Sequence, residues 1–124
     1  MMNTGLILFA HGARDPRWAL PFEAVAARVR ASRHEVQVAL AYLEFMTPTL
    51  ADAGAQLVSA GCKHITVLPM FLGAGGHVRK DLPVLIEALR AAHPQVHFAL
   101  ETAVGEIDSV TDAMAAAALR TLPP

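Results

Sequence analysis

The stretch Gly5–Gly12 reads GLILFAHG, and it decides the fold class of this chain. Residues Gly5–Ala10 form a short, uninterrupted apolar run, which is typical of a strand buried on both faces. Strands of that kind occur in parallel sheets that carry helices on each side. The run stops at His11-Gly12, so the sequence predicts a histidine at the point where the strand ends.

Further apolar runs alternate with helical stretches along the rest of the chain. The predicted strands are Gly5–Ala10, Val36–Leu43, His64–Leu68 and Val96–Leu100. The predicted helices carry apolar residues from Trp18 to Val29, Leu50 to Val58, Leu82 to Leu89 and over Asp108–Leu122, with Thr47-Pro48 expected as the N-cap and first residue of the second helix. We therefore expect a βαβαβαβα three-layer α/β sandwich with one four-stranded parallel sheet of order 2-1-3-4. Residues 1–124 are expected to form a single domain.

Composition excludes several classes of function. Ten Lys and Arg against eleven Asp and Glu give a net charge of −1, which argues against a nucleic-acid partner. The longest apolar run, Ala113–Leu119, is far shorter than the roughly 20 residues of a membrane span. The single cysteine, Cys62, excludes an internal disulfide and a CxxC metal site. Met1–Thr4 lacks the features of a secretory signal, so we expect a cytoplasmic protein.

Two histidines are predicted to follow neighbouring strands. His11 ends the first strand and His77 follows the third, and the carboxyl ends of parallel strands meet at one edge of the sheet. Two imidazoles converging there can hold a first-row divalent metal and leave coordination positions open. The structural alternative is a hydrogen-bonded or solvent-facing histidine, which is the interpretation we adopt for the others, His34, His64, His93 and His97.

Other candidate site residues fall at the same predicted edge. Glu44 ends the second strand, where a carboxylate can act as a third metal ligand or as a base, or can simply be solvated. The glycines of residues 73–76 open the third helix, so their backbone N–H groups could cradle an anion, although a plain tight loop has the same composition. Apolar side chains such as Met46 and Phe71 suit a flat, apolar ligand. The alternative is that they belong to the hydrophobic core.

Three motifs in this order resemble the small CbiX-type proteins, the short form of the sirohydrochlorin cobaltochelatase family among the class II tetrapyrrole chelatases. The motifs are HGARDP at 11–16, LEFMTPTL at 43–50 and GGHVRKDLP at 75–83. The resemblance extends from about Leu6 to Val104 and implies a chelatase-like fold.

The resemblance also implies a function and a site. Family members, which are lyases, insert a divalent metal, commonly Co²⁺ and in relatives Ni²⁺ or Fe²⁺, into sirohydrochlorin or a related early tetrapyrrole on the route to cobalamin or sirohaem. The metal is a substrate and no organic cofactor is implied. His11 and His77 match the metal-binding histidines, and Glu44 matches the active-site glutamate. Short members are homodimers, which agrees with a charged fraction of only 17%. Ala13 stands where a serine is usual, so a hydroxyl contact is missing.

The chemistry of insertion suits these residues. Two neutral imidazoles keep coordination positions free for the incoming pyrrole nitrogens, and Glu44 can accept the displaced protons. Basic side chains at the same edge, Arg14, Arg79 and Lys80, can meet the carboxylates of a tetrapyrrole, although each is otherwise a solvated charge. The candidates for substrate binding are Arg14, Met46, Phe71, Gly75 and Gly76.

Three other functions compete with this interpretation. A histidine phosphatase requires an arginine directly before its nucleophilic histidine, and this chain has Ala10 there. A flavin module requires a phosphate loop after the first strand, for which HGARDP is a poor candidate. The third alternative is a non-catalytic metal or tetrapyrrole carrier on the same fold. Ala13 in place of the usual serine leaves this alternative open.

Overall fold

The computed structural model of the chain describes residues 3–73 and 75–124, and for His77 the backbone alone. Four strands alternate with four helices, as the apolar runs predict. The strands are β1 Thr4–Ala10, β2 Gln37–Tyr42, β3 His64–Pro69 and β4 His97–Leu100. The helices are α1 Leu20–Ser32, α2 Leu50–Ser59, α3 Gly76–Ala92 and α4 Asp108–Leu119, with 3-10 turns at Pro16–Ala19 and Val104–Glu106.

The strands form one parallel sheet in the order β2-β1-β3-β4, which confirms the predicted α/β topology. β1 lies in the centre, paired on one side with β2 and on the other with β3. From Ile7 to Ala10 every residue of β1 is buried, because packed side chains cover both faces of this strand. The strand order reverses between β1 and β3, because β2 lies on one side of β1 and the later strands lie on the other. Ligands of such sheets bind beside that point.

The two faces of the sheet are covered unequally. On one face, Ile7, Val67 and Phe98 pack against α2 and α3 in the main core, together with Leu57 and Ile86. On the other face, the carboxyl ends of β1 and β2 pack against the segment leading into α1. That second cluster consists of Ala10, Ala19 and Tyr42 with Trp18, Phe22, Leu40, Met46 and Met70 around it.

One local prediction was inaccurate. Thr47-Pro48 is not the start of α2, because Thr49 is the N-cap and its hydroxyl accepts the N–H of Asp52 at 3.2 Å. The carbonyl of Pro48 instead accepts the N–H of Tyr42 at the end of β2 (2.9 Å). Helix α3 begins at Gly76, within the glycine stretch predicted to open it, and runs through Pro83. His77 is therefore in the first turn of a helix.

Helix α4 differs from the other helices in its packing. Over the described residues none of its side chains is buried, and it packs against the 3-10 turn Val104–Glu106 that precedes it. Met114 and Leu119 are 42% and 66% exposed. Within the described part of the chain, no helix is long and apolar enough to cross a membrane.

Candidate functional site

The backbone pairing of the sheet continues past the strand ends at the carboxyl edge. The N–H of Leu43 donates to Ala10 and the N–H of Glu44 donates to His11, both at 3.0 Å. Gly12 follows with φ +95°, and a Cβ at this residue would lie 1.8 Å from the carbonyl oxygen of Glu44. Only glycine fits a left-handed conformation at so close an approach. The loops after β1 and β2 are thereby held side by side.

This pairing brings together the side chains of His11 and Glu44. Nε2–H of His11 donates to Oε1 of Glu44 at 2.9 Å. The two side chains are 47% and 49% exposed, so solvent or a ligand reaches both. Sequence reasoning predicted that both residues lie at this edge, and the structure adds the direct hydrogen bond between them.

Phe71 contacts the same histidine from the loop after β3. Its ring meets that of His11 edge-on, with centroids 6.5 Å apart, and that of Phe9 at 6.0 Å. Phe71 is only 8% exposed, so most of the ring belongs to the core. The ring of Phe71 therefore packs against His11 from the core side and exposes little surface to a ligand.

Arg14 and Met46, the other candidates from the first two loops, differ in exposure. The guanidinium of Arg14 lies 4.6 Å from the centre of the ring of Phe45, a cation–π contact on the surface. Phe45 is 57% exposed and has a left-handed backbone with φ 66°, which sequence reasoning did not anticipate. Met46 is half-buried in the second cluster, beside Tyr42.

Asp15, in the first motif, has a structural role. Its carboxylate accepts the backbone N–H of Arg17 (2.9 Å) and its guanidinium (2.8 Å), and so caps the 3-10 turn that leads to α1. These hydrogen bonds, with the side chain of Arg17 contributing most, lower the pKa of Asp15. The carboxylate of Asp15 is thus engaged in hydrogen bonds within its own turn.

The third motif starts helix α3. Gly75 is its N-cap, and among the described residues no side chain caps this end. A Cβ at Gly75 or Gly76 would meet none of the described residues within 4 Å, so these residues leave the space beside the two glycines open. Ala74 and the side chain of His77 lie outside the described residues, so the convergence of His77 on His11 stays a prediction.

A groove at the ends of β3 and β4 was not anticipated from the sequence. Its volume is about 220 Å³, and its walls are mostly apolar. Glu101 follows β4 directly, so its strand-end position is the signal that could have identified it, as it identified Glu44. The groove is lined by Pro69, Phe71, Val78, Arg79, Leu82, Pro83, Leu100, Glu101, Thr102, Ala103 and Glu106.

Backbone contacts also connect the groove to the loop after β3. The N–H of Gly105 donates to the carbonyl of Phe71 at 3.0 Å. Across the rim, Nη2 of Arg79 lies 3.9 Å from Oε1 of Glu106, a long and exposed ion pair. In the part of the chain that the structure describes, no three His, Cys, Asp or Glu side chains converge as a metal site.

The remaining histidines lie away from this edge. His64 and His97 are the first residues of β3 and β4, at the amino edge of the sheet. His34 is in the turn before β2, and His93 caps the end of α3. These positions agree with their exclusion from the predicted site.

Comparison with known proteins connects this edge to a family. The CbiX family model matches residues 5–121. The sirohydrochlorin cobaltochelatase of Methanococcus maripaludis is 31% identical over 81 residues, 65% of this chain and 56% of that protein. The sirohydrochlorin cobaltochelatase of Saccharolobus solfataricus is 33% identical over 82 residues, 66% of this chain and 62% of that protein. The chain therefore spans less than two thirds of the length of these relatives.

Solved structures agree with the fold. A cobalamin (vitamin B12) biosynthesis CbiX protein from Marinobacter aquaeolei VT8 superposes with a TM-score of 0.84 and 34% identity, over 95% of this chain and 96% of that one. SirB from Bacillus subtilis with Fe³⁺ superposes with a TM-score of 0.81 and 23% identity, over 98% of this chain and 48% of that one. The match of the family model over residues 5–121 is decisive: the chain belongs to the CbiX family.

Proposed function

We propose that this protein, as a single domain over residues 1–124, is a chelatase that inserts a divalent metal into sirohydrochlorin or a related early tetrapyrrole. The observation that carries the proposal is the exposed hydrogen bond of 2.9 Å between His11 and Glu44 at the carboxyl edge of the sheet. The names of the two cobaltochelatase relatives support this reaction and favour Co²⁺ as the metal, with Ni²⁺ or Fe²⁺ as alternatives.

The distance between His11 and Glu44 suits a metal ion in place of the shared proton. Two ligand atoms about 2.1 Å from a metal and at a right angle to each other are about 3.0 Å apart. The measured separation of Nε2 and Oε1 is 2.9 Å. A divalent ion can therefore bind both atoms at their present separation once the side chains turn so that the two ligand atoms face it, and we assign His77 as a further ligand.

Glu44 has a second role in this proposal. Insertion releases two pyrrole protons, which need an acceptor close to the metal. A carboxylate that is half-exposed and already hydrogen-bonded to a ligand histidine can take a proton and pass it to solvent. We therefore assign His11 and His77 as metal ligands and Glu44 as both ligand and base.

The tetrapyrrole is expected to bind across the same edge. Its carboxylates suit the guanidinium of Arg14, which is held above Phe45. The open space at Gly75 and Gly76 leaves room for the substrate beside the start of α3. Met46 provides an apolar contact from a half-buried position, and Phe71 adds only the small part of its ring that is exposed. We place this lyase reaction in cobalamin biosynthesis in the cytoplasm.

We also propose that the working form is a homodimer. A helix of twelve residues with no buried side chain, such as α4, is marginal in water by itself. A second copy would cover Met114 and Leu119, which are exposed in the single chain. One copy also corresponds to 48% of the longer SirB chain, so two copies equal one such protein in length.

The oligomeric state is tested by sedimentation of the wild type and of Leu119→Glu. We expect the wild type to have twice the chain mass of 13.2 kDa and the variant to dissociate at micromolar concentration. The exposed Val84 of α3 gives the matched control, since Val84→Glu introduces the same charge at a similar exposure (67%) on another helix. A wild type of 13.2 kDa at all concentrations would refute the homodimer.

The proposed reaction is tested by supplying sirohydrochlorin with Co²⁺, Ni²⁺ or Fe²⁺ in turn and following the visible absorbance of the tetrapyrrole. Repeated turnover with one metal is expected, whereas a carrier would bind substrate without turnover. His11→Ala and His77→Ala should each abolish insertion with folding retained, and the exposed His34→Ala is the control. If His11→Ala inserts metal at the wild-type rate, the assignment of the site is wrong.

A further inference from the structure

Two histidines face each other across the amino edge of the sheet. His64 and His97 are paired residues in the register of β3 and β4. Paired residues of neighbouring strands point to the same face of a sheet. Their ring centroids are 5.8 Å apart, with an angle of 59° between the planes. Both residues are exposed, so neither imidazole is needed to fill the core.

This separation is compatible with joint binding of a metal ion. A metal about 2.0–2.1 Å from a ring nitrogen lies about 3.2 Å from the ring centroid. Two rings on one metal then have centroids about 4.5 to 6.3 Å apart, depending on the angle between the metal–nitrogen bonds. The observed 5.8 Å falls inside that interval, so the two rings are at a separation that one metal ion can bridge.

We propose that His64 and His97 form a second metal site, which binds a late first-row divalent ion through two imidazole nitrogens. Imidazole suits Cu²⁺, Ni²⁺ and Zn²⁺, and affinity among divalent ions is highest for Cu²⁺. The third residue of the row is Thr4, the partner of His64 on β1, and it brings no charge. Water completes the coordination, and the metal is exchangeable.

This site is separate from the proposed chelatase site. His64 pairs with Thr4, seven residues before His11 on the neighbouring strand, which puts the two histidines about 23 Å apart at 3.3 Å per residue. The rest of the row across the sheet offers no carboxylate like Glu44 that could take protons from a substrate. The amino-edge pair therefore binds metal without inserting it, and its existence does not depend on the chelatase assignment.

The test uses Cu²⁺ alone as the probe and the full chain carrying His11→Ala and His77→Ala, so that the carboxyl edge does not compete. Electron paramagnetic resonance should show one Cu²⁺ with two equatorial nitrogens. His64→Gln and His97→Gln should each weaken its binding roughly a hundredfold, because the second imidazole acts at high effective concentration. Exposed His34 is the matched control, and His34→Gln should leave the affinity unchanged.

The double variant distinguishes joint from separate binding. If both imidazoles hold one ion, each single variant should show the large loss, and the variant with both replacements should bind more weakly still, because each single variant keeps one imidazole ligand. Small, additive losses would mean two independent monodentate sites and would overturn the proposal, as would an equal loss in His34→Gln. In the wild-type chain, substoichiometric Cu²⁺ should broaden the ring signals of His64 and His97 together in the NMR spectrum. Broadening of only one of them would also refute the proposal.

Discussion

At the carboxyl edge of the sheet, His11 donates to a carboxylate and touches the ring of Phe71, whereas at the amino edge His64 has another imidazole beside it. The two edges thus combine the same side chain with different neighbours. The carboxylate at the carboxyl edge is negatively charged and can accept protons from a substrate. The imidazole pair at the amino edge is a neutral set of metal ligands. The residue beside the histidine therefore separates the two sites: Glu44 makes the carboxyl edge a proposed catalytic site, and His97 makes the amino edge a proposed binding site.

The largest expected effect sharpens this comparison through Glu44. Glu44→Gln keeps the size of the side chain and a hydrogen-bonding oxygen but cannot accept a pyrrole proton. We expect kcat/KM for insertion to fall about 10²–10⁴-fold, the usual contribution of a general base, with a smaller loss of metal affinity, because the amide still offers an oxygen ligand but lacks the negative charge. Initial rates from the visible absorbance of the tetrapyrrole measure the change.

His64→Gln is the control at the opposite edge. Its insertion rate should equal that of the wild type, since His64 is one strand length away from the proposed reaction. Equal losses in Glu44→Gln and His64→Gln would mean that the two edges are not distinct in function.

The next effect concerns two glycines with left-handed backbone, Gly12 at the carboxyl edge and Gly61 near the amino edge. A Cβ at Gly12 would collide with the backbone of Glu44, whereas at Gly61 it would meet nothing within 4 Å. Gly61→Ala should lower the free energy of unfolding by about 1 kcal/mol from backbone strain alone. Gly12→Ala should cost about 3 kcal/mol or more.

Chemical denaturation of both variants measures these free energies. Similar losses at the two positions would show that the loops after β1 and β2 can separate freely, which would weaken the assignment of His11 and Glu44 to one rigid unit.

The smallest effect belongs to Cys62, the buried residue just before β3. Burial raises the pKa of its thiol, so the folded pKa exceeds that of the unfolded chain. The corresponding stabilisation is present below the ordinary thiol pKa of about 8.5 and is lost as the pH rises through the folded pKa. The wild type should therefore lose stability between pH 8 and 10 more steeply than Cys62→Ala.

Denaturation at several pH values tests this difference. Burial also raises the pKa of Tyr42, a residue common to both proteins, so its contribution cancels in the comparison. Parallel pH profiles for wild type and Cys62→Ala would contradict the prediction.

The topology could be predicted because the strands carry strong, short apolar runs. β1 is buried from Ile7 to Ala10, as its continuous pattern indicates. The strand ends then placed His11 and Glu44 at one edge. Their hydrogen bond was not predictable, because it depends on how closely the backbone of Gly12 approaches that of Glu44. The gap between them is too small for a Cβ at Gly12.

Other features depend on competition between local signals or on long-range packing. Thr47 and Thr49 are both good caps next to Pro48, and the pairing of Pro48 with Tyr42 decides for Thr49. Pro83 lies inside α3, yet the helix runs through it, since Leu82 and Ile86 pack in the core. The exposure of α4 has no signature in its alanine-rich sequence, which fits a buried and an exposed helix equally well.

The backbone bonds beyond the strand ends affect how freely chain length can vary. Surface loops usually accept insertions, because only the ends of a loop are held by the fold and its central residues make few contacts. Here the residues after β1, β2 and β3 are hydrogen-bonded to the adjacent strand or loop, Glu44 to His11, Met70 to Phe9 and Gly105 to Phe71. An added residue at any of these points would shift two loops together. Insertions, peptide tags and fusion points therefore belong in the turns of the amino edge, such as Arg33–Glu35, rather than at the edge that carries His11.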